Sequence, residues 1–377
     1  MYKEIINQTP KLPIKRKKGE DFRKCLFSVL DYYSKKNNEL NNDTYLNDKV
    51  SKLSNGIKKT IEAYYEGNPS KAYRILSTTL KETDLIIYLN KKSLIHNGSN
   101  LYRIRIKDSN YPLNRKEIFH IPYNLRELVA TQRYSIPGLP SLYLANSIYV
   151  AWEELGRPSS NLIQAARFKN TRDLKLLDLS NDIYYEKKSL LFDNNDLSNY
   201  DMIVWPLIAA CSVKVPDRNV AFKPEYIIPQ LLLQWINKNE LDGIKYSSTH
   251  INKSINKHIG KLYNIVIPVK SFKQTEGFCK ELLNTFEVSN VMPMQLNQFS
   301  LNEEKDNQIP SELHQIELIK GKQINYSETI FGKVEILLKN LKTGKIPVAN
   351  TVYNLLLASS LITKVLADFL VDNYLLN

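Results

Sequence analysis

From residue 20 to about residue 90, apolar side chains recur every three or four positions, a spacing that predicts helices. In IKKTIEAYYEGNPSKAYRILSTTL the stripe breaks at Gly67-Asn68-Pro69, so two packed helices are expected, with Ser70 capping the second. The pattern changes near Asn97-Gly98-Ser99. LYRIRI (101–106) alternates, which predicts a strand with Arg103 and Arg105 on one face and Tyr102, Ile104 and Ile106 on the other. A second strand, Ser141 to Leu144, follows a Pro137-Gly138 turn and leads into a helix that begins near Ser147. LKLLDLS (174–180) is a further strand, PEYIIPQLLLQWINKN (224–239) a helix opened by proline, and LDGIKYSS (241–248) a turn into a strand. YNIVIPV (263–269) is apolar throughout and belongs at the centre of a sheet. Residues 295–326 are polar and read as a linker, and the last fifty residues read as helical.

These elements predict an α+β chain: a mixed sheet core over 96–272, a helical region over 1–95, and a polar linker followed by helices over 273–377. The chain has 377 residues, 43% hydrophobic and 24% charged, an ordinary globular composition that implies a sizeable core. The net charge of +13 suits an anionic partner or substrate, or simply a solvated lysine-rich surface. The densest basic run, Lys15-Arg16-Lys17-Lys18, has no helix-turn-helix or base-reading element beside it, so direct nucleic-acid binding is not expected. Cys25, Cys211 and Cys279 are far apart and form no CxxC pair, which argues against a disulfide framework or a zinc site and for a reducing, cytoplasmic setting. The N-terminus lacks the apolar run of a signal peptide. VYNLLLASSLITKVLADFLV, interrupted by Lys364 and Asp368, is short of a bilayer span and reads as a buried helix, so no membrane association is expected.

The chain has no GxGxxG, Walker loop, HExxH or GxSxG, and its histidines make no metal-ligand cluster; His120, in FHIP, reads as a structural histidine. The informative stretch is TQRYSIPGLPSLYLANSIYVAWEE (131–154), in which strand, turn and helix could bring Arg133 toward Glu153 or Glu154. Taken alone, such a pair is more often a structural ion pair than a site. Neighbours on a helix lie about 100° apart, so one of the two glutamates faces a cleft. Ser147, Ala151 and Glu154 form one stripe, while Trp152 and Leu155 share a face expected to be buried, which favours Glu154.

EIFHIPYNLRELVATQRYSIPGLPSLYLANSIYVAWEELGRP, FKPEYIIPQLL and DGIKYSST, in that order, resemble the RES domain family, named for an Arg, a Glu and a Ser. The resemblance covers roughly residues 96–272. IKKTIEAYYEGNPSKAYRIL is similar to the helical extension of its longer members, and nothing after residue 290 is matched. It implies an ADP-ribosyltransferase-like fold. It also implies an NAD-consuming activity by phosphorolysis, hydrolysis or ADP-ribosyl transfer, often as a bacterial toxin restrained by an antitoxin protein. Residue by residue it assigns Arg133, Glu154 and Ser248 as catalytic, with Glu153 and Ser247 as the adjacent alternatives. Arg103, Tyr134 and Tyr143 follow as substrate-binding residues. The family's Asn after the aromatic is here Ser135, as in its longer members.

That chemistry suits these residue types. A guanidinium fork pairs with a diphosphate, and a fixed carboxylate stabilises the oxocarbenium character that builds as the nicotinamide–ribose bond breaks. A serine hydroxyl can position the ribose or carboxamide, and tyrosine rings can stack on nicotinamide or adenine. NAD is then a substrate rather than a cofactor, with phosphate as a candidate co-substrate and no metal. The expectation is an NAD-degrading toxin or phage-defence effector. The competing readings are a transferase acting on a protein target, an inactive nucleotide-sensing module, and, last, a nucleic-acid-associated protein. The flanking regions are candidates to hold a regulatory protein, mediate homo-oligomerisation or gate the pocket.

Overall fold

Short polar side chains start the helices of the N-terminal region. In a computed structural model, which describes residues 8–84, 94–107, 111–180, 199–237, 240–251, 262–270, 273–298, 313–319 and 322–347, helix α1 spans Phe22–Leu40, α2 Thr44–Tyr65 and α3 Pro69–Glu82. Asp21, Asp43 and Asn68 each accept a bond from the backbone N–H three residues on, at 2.9, 3.1 and 2.9 Å. Asn68, not Ser70, therefore caps α3. Proline occupies the first helical position, where no N–H is needed, and this moves the cap one residue before it.

Nine strands build the main sheet: β2 (Leu94–Ile95), β3 (Asn100–Ile106), β4 (Ser141–Ala145), β5 (Ile163–Asn170), β6 (Leu174–Leu179), β8 (Gly243–Tyr246), β9 (Asn264–Pro268), β10 (Phe286–Val288) and β11 (Met292–Pro293). The order is β10-β5-β3-β4-β9-β8-β6-β2, with β11 also on β5; β6 and β8 run parallel and the remaining pairs antiparallel. The fold class is thus α+β with a mixed sheet. β9 is buried along its whole length between β4 and β8, as its unbroken apolar run predicts. Gly243 is required where β8 meets β9, because a Cβ there would collide with the Val266 carbonyl. The sheet edge at β10 and β11 comes from residues 286–293, so the sheet draws on chain beyond the 96–272 segment.

Helices α4 (Ile148–Glu154), α5 (Asn199–Cys211), α6 (Ile227–Asn237), α7 (Lys280–Thr285) and α8 (Ile330–Asn340) complete the described helices. The N-terminal helices share one core with α5, α6 and one face of the sheet: Leu26, Leu30, Ile57 and Leu76 join Trp205, Leu232, Trp235 and Ile244. The short strand β1 (Ile14–Lys15) pairs in parallel with β7 (Val213–Lys214). Arg16, expected in a solvated basic run, instead pairs with the buried Glu225 at 2.7 Å. A second core on the other sheet face gathers Phe119, Phe168, Phe286 and Ile267; a third, around Tyr102, Ile148, Tyr149 and Phe331, lies between α4 and α8. Within the polar stretch expected as a linker, β12 (Gln315–Ile319) and β13 (Lys322–Asn325) form a hairpin, because Leu313 and Ile316 bury their side chains in that third core. The apolar segment 352–371 lies outside the described residues, and among the described residues no helix is long and apolar enough to cross a membrane. All three cysteines are buried and unbridged.

Helices α2 and α3 touch at Gly56, where a methyl group would collide with the branched, rotamer-restricted side chain of Thr79. Gly56→Ala should lower the melting temperature, at a cost on the order of 1–3 kcal/mol. Adding Thr79→Ala should recover part of the loss. An unchanged melting temperature in the single variant would contradict this close approach.

Candidate functional site

The sheet splits where the site forms. β3 pairs with β5 from Asn100 to Ile106, but meets β4 through a single bridge, Tyr102–Ala145. The backbone beside the split needs other partners, and Arg103 supplies one: its Nη1–H donates to the Tyr143 carbonyl at 2.8 Å. Its buried Nε–H has no partner among the described residues. Burial, and then the neighbouring Arg105 cation, lower its pKa to about 9, so the guanidinium stays charged at neutral pH. Where the strands part, a cavity of about 360 Å³ opens, walled by Arg103, Arg133, Tyr143, Glu154, Tyr226 and Asn264 among others.

Arg133 reaches this cavity from the loop before β4. Its Nη1–H donates to the Cys211 carbonyl at 3.1 Å and its Nη2 to the Val213 carbonyl at 3.0 Å, with Thr249 Oγ1 at 3.4 Å. Its guanidinium lies 5.2 Å from the centroid of the Tyr226 ring. Two carbonyls and a ring fix the group without neutralising it.

Glu154 arrives from the last turn of α4, whose N-cap is Ser147, accepting from the Val150 N–H at 3.2 Å. One carboxylate oxygen accepts from Asn264 Nδ2 at 2.8 Å, and the other lies 3.8 Å from His250 Nε2. Burial pushes its pKa above the usual glutamate value, and the nearby Ser248 hydroxyl, Arg133 and Arg218 pull the other way. His250 is held neutral, its pKa lowered to about 3 by burial first and then by Arg218, Arg133 and Lys214. Arg218 Nη2 is 2.7 Å from His250 Nδ1.

Arg133 and Glu154 thus share a cavity without pairing. The arginines in ion pairs among the described residues are Arg16, Arg23, Arg157 and Arg172; Arg103, Arg133 and Arg218 are not among them. Among the described residues Glu154 is the lone carboxylate on the wall, facing Arg103, Arg133, Arg218 and Lys223. Such a wall attracts a ligand that carries both an anionic and a cationic part.

The remaining sequence candidates fall in different places. Tyr143 lines the cavity, its hydroxyl 2.6 Å from Ser135 Oγ. Ser248 is buried and does not line the cavity; its Oγ accepts from the His250 N–H at 3.1 Å. Ser247 faces the opposite way along the chain and donates to the Ser180 carbonyl at 3.0 Å. Tyr134 is 1% exposed and off the cavity wall, its ring 4.6 Å from that of Tyr246, so it packs the core rather than stacking on a ligand. Glu153 is 3% exposed and forked to Arg157 at 2.8 and 2.9 Å, away from the cavity. The expected buried Trp152–Leu155 face is also corrected: Leu155 is 43% exposed and lines the cavity beside Glu154 and Ala151. Sequence reasoning missed Asn264, His250, Arg218, Lys223 and Tyr226. The polar Asn264 at the head of an apolar strand, and His250 just after the SST turn, were the available signals.

No family model matches the chain. It is 31% identical over 355 residues to the Bacillus subtilis (strain 168) protein described as "Putative toxin YopC", an alignment covering 87% of this chain and 78% of that one. Among solved structures, the crystal structure of the M. tuberculosis MbcT–MbcA toxin–antitoxin complex aligns with 55% of this chain and 90% of that chain, at 11% identity and a TM-score of 0.29. That likeness is too loose to define the fold.

The raised pKa of Glu154 sets a sign for stability. The folded chain holds that proton more tightly than the unfolded chain, so stability falls as pH rises from the ordinary glutamate value through the raised one. Glu154→Gln removes this penalty. Its melting temperature at neutral pH should equal or exceed that of the wild type, and the gap should close on acidification. A lower melting temperature at neutral pH would contradict the desolvated carboxylate.

Proposed function

The chain belongs to the same family as the Bacillus subtilis protein described as "Putative toxin YopC", and on that premise we propose that it is a toxin that cleaves NAD at the nicotinamide–ribose bond. The toxin role follows from that relative's description as a toxin. The NAD reading rests on the sequence resemblance to the RES domain family and on one observation above all: a single desolvated carboxylate, Glu154, set apart from Arg103, Arg133 and Arg218 in one cavity.

NAD carries complementary charges, an anionic diphosphate and a cationic nicotinamide ring. The diphosphate sits against the arginines, which bind it in a bidentate way and carry no carboxylate to displace. That places the nicotinamide ribose toward Glu154. As the C1′–N bond breaks, its electron pair leaves with nicotinamide and the ribose gains positive charge. Glu154, aimed by Asn264, stabilises that charge as it develops. Water, losing a proton to solvent, or inorganic phosphate then bonds to C1′, giving ADP-ribose or ADP-ribose 1″-phosphate. Tyr143, Tyr226 and Tyr246 supply stacking and apolar wall. A cavity of about 360 Å³ is at the small end of ligand pockets, so it encloses the reacting half of the dinucleotide while the adenosine extends outward. An enzyme that destroys NAD requires restraint in the cell that makes it, and a protein partner closing the cavity mouth would supply it.

The full chain incubated with NAD, with and without inorganic phosphate, should release nicotinamide, followed by proton and phosphorus NMR. A sugar-phosphate product that depends on phosphate assigns phosphorolysis; ADP-ribose in both samples assigns hydrolysis. Glu154→Gln should lower kcat by about 10²- to 10⁴-fold. The acid limb of kcat/KM should lie above the ordinary glutamate range, because the working carboxylate must be ionised. Intact NAD with folded wild-type protein, or undiminished turnover by Glu154→Gln, would overturn the reading.

A further inference from the structure

Helix α4 carries Glu154 at its C-terminal end and is barely two turns long, too short to hold itself together without outside help. Its first backbone N–H groups have no partner within the helix and must be satisfied from elsewhere. Val150 finds its partner locally, in the Ser147 hydroxyl. Ile148 does not. The Ile148 N–H donates to Glu335 Oε1 at 2.7 Å, across 187 residues of sequence. The Tyr326 hydroxyl donates to the same Glu335 oxygen.

The helix that carries Glu335 is itself anchored. Thr329 caps its start by accepting from the Gly332 N–H at 3.1 Å. At its other end, Arg167 on β5 donates from Nε to the Leu338 carbonyl at 2.9 Å and from Nη2 to the Leu341 carbonyl at 2.6 Å. Between these points Phe331 packs on Tyr149 and Trp152, with ring centroids 5.8 and 5.0 Å apart. Glu335 is 2% exposed, and a buried carboxylate is costly unless its bonds are made. Its carboxylate accepts from the Ile148 N–H of α4 and from the Tyr326 hydroxyl.

We propose that Glu335, with Tyr326, is a positioning residue for catalysis: the C-terminal segment supplies the missing cap of α4 and thereby fixes where Glu154 stands in the cavity. The activity of the site then depends on chain that lies outside the 96–272 segment, and any partner that displaces α8 loosens the catalytic carboxylate without touching the cavity. The catalytic part rests on the NAD-cleavage reading; the capping part does not.

The test uses full-length protein with two readouts. Amide hydrogen exchange is measured at Ile148, with Ile265 in β9 as a reference, and kcat and KM are measured for NAD. In Glu335→Leu the Ile148 amide should exchange on the order of tenfold faster while Ile265 is unchanged. Its kcat should fall roughly ten- to hundredfold with KM within about threefold, because displacement of a catalytic group affects mainly the chemical step. Glu335→Gln, which can still accept the Ile148 N–H, should restore both readouts. If Glu335→Leu does not fold, Tyr326→Phe removes the hydroxyl that holds Glu335 and should accelerate exchange at Ile148 with a smaller loss of kcat. Unchanged exchange at Ile148 overturns the cap. Faster exchange with wild-type kcat overturns the positioning role. A wild-type protein that leaves NAD intact fails the NAD reading, and exchange alone then decides the cap.

Discussion

The parting of β3 and β4 after one bridge is the constraint on which the rest of the molecule turns. A sheet that zipped shut there would have no cavity. The split persists because Arg103 takes the Tyr143 carbonyl that a neighbouring strand would otherwise use. The same act places a poorly solvated cation at the cavity wall. Sheet geometry and site electrostatics are therefore one feature: the group that satisfies the open backbone also selects an anion.

Around that opening, each charged group is held by neutral neighbours rather than by an opposite charge. Arg133 rests on backbone carbonyls and a tyrosine ring, and Glu154 on Asn264. Direct pairing would neutralise both and fill the space between them. Burying the carboxylate without a paired cation costs stability, and burial is what raises the pKa of Glu154. The spent stability leaves a field across the cavity that a dipolar ligand can use. The N-terminal region contributes from behind: Arg16 locks the buried Glu225, next to Tyr226 on the cavity wall.

Much of the frame was legible in the sequence because strands and helices follow hydrophobic period. Alternation found β3, an apolar run found β9, and the glycine and proline breaks separated α2 from α3. The choice of Glu154 over Glu153 followed from its stripe with Ala151, and both line the cavity. The same stripe logic placed Leu155 inside, wrongly, because it could not see Arg157 fork Glu153 and make a charged residue the buried one. Asn264, His250 and Arg218 were illegible for a different reason: each is local to its own segment in sequence, and only closure of the sheet brings them to one carboxylate. The capping of α4 by Glu335 is the extreme case, since no local pattern announces a cap from so far along the chain.

The most direct measurement is calorimetric titration of NAD into Glu154→Gln protein, which separates binding from turnover. If the cavity grips a dinucleotide by its diphosphate, NAD will bind, and affinity will fall as salt is raised and the arginine–phosphate contacts are screened. Nicotinamide alone will bind far more weakly. No binding of NAD, or an affinity indifferent to salt and matched by nicotinamide, would contradict the central claim.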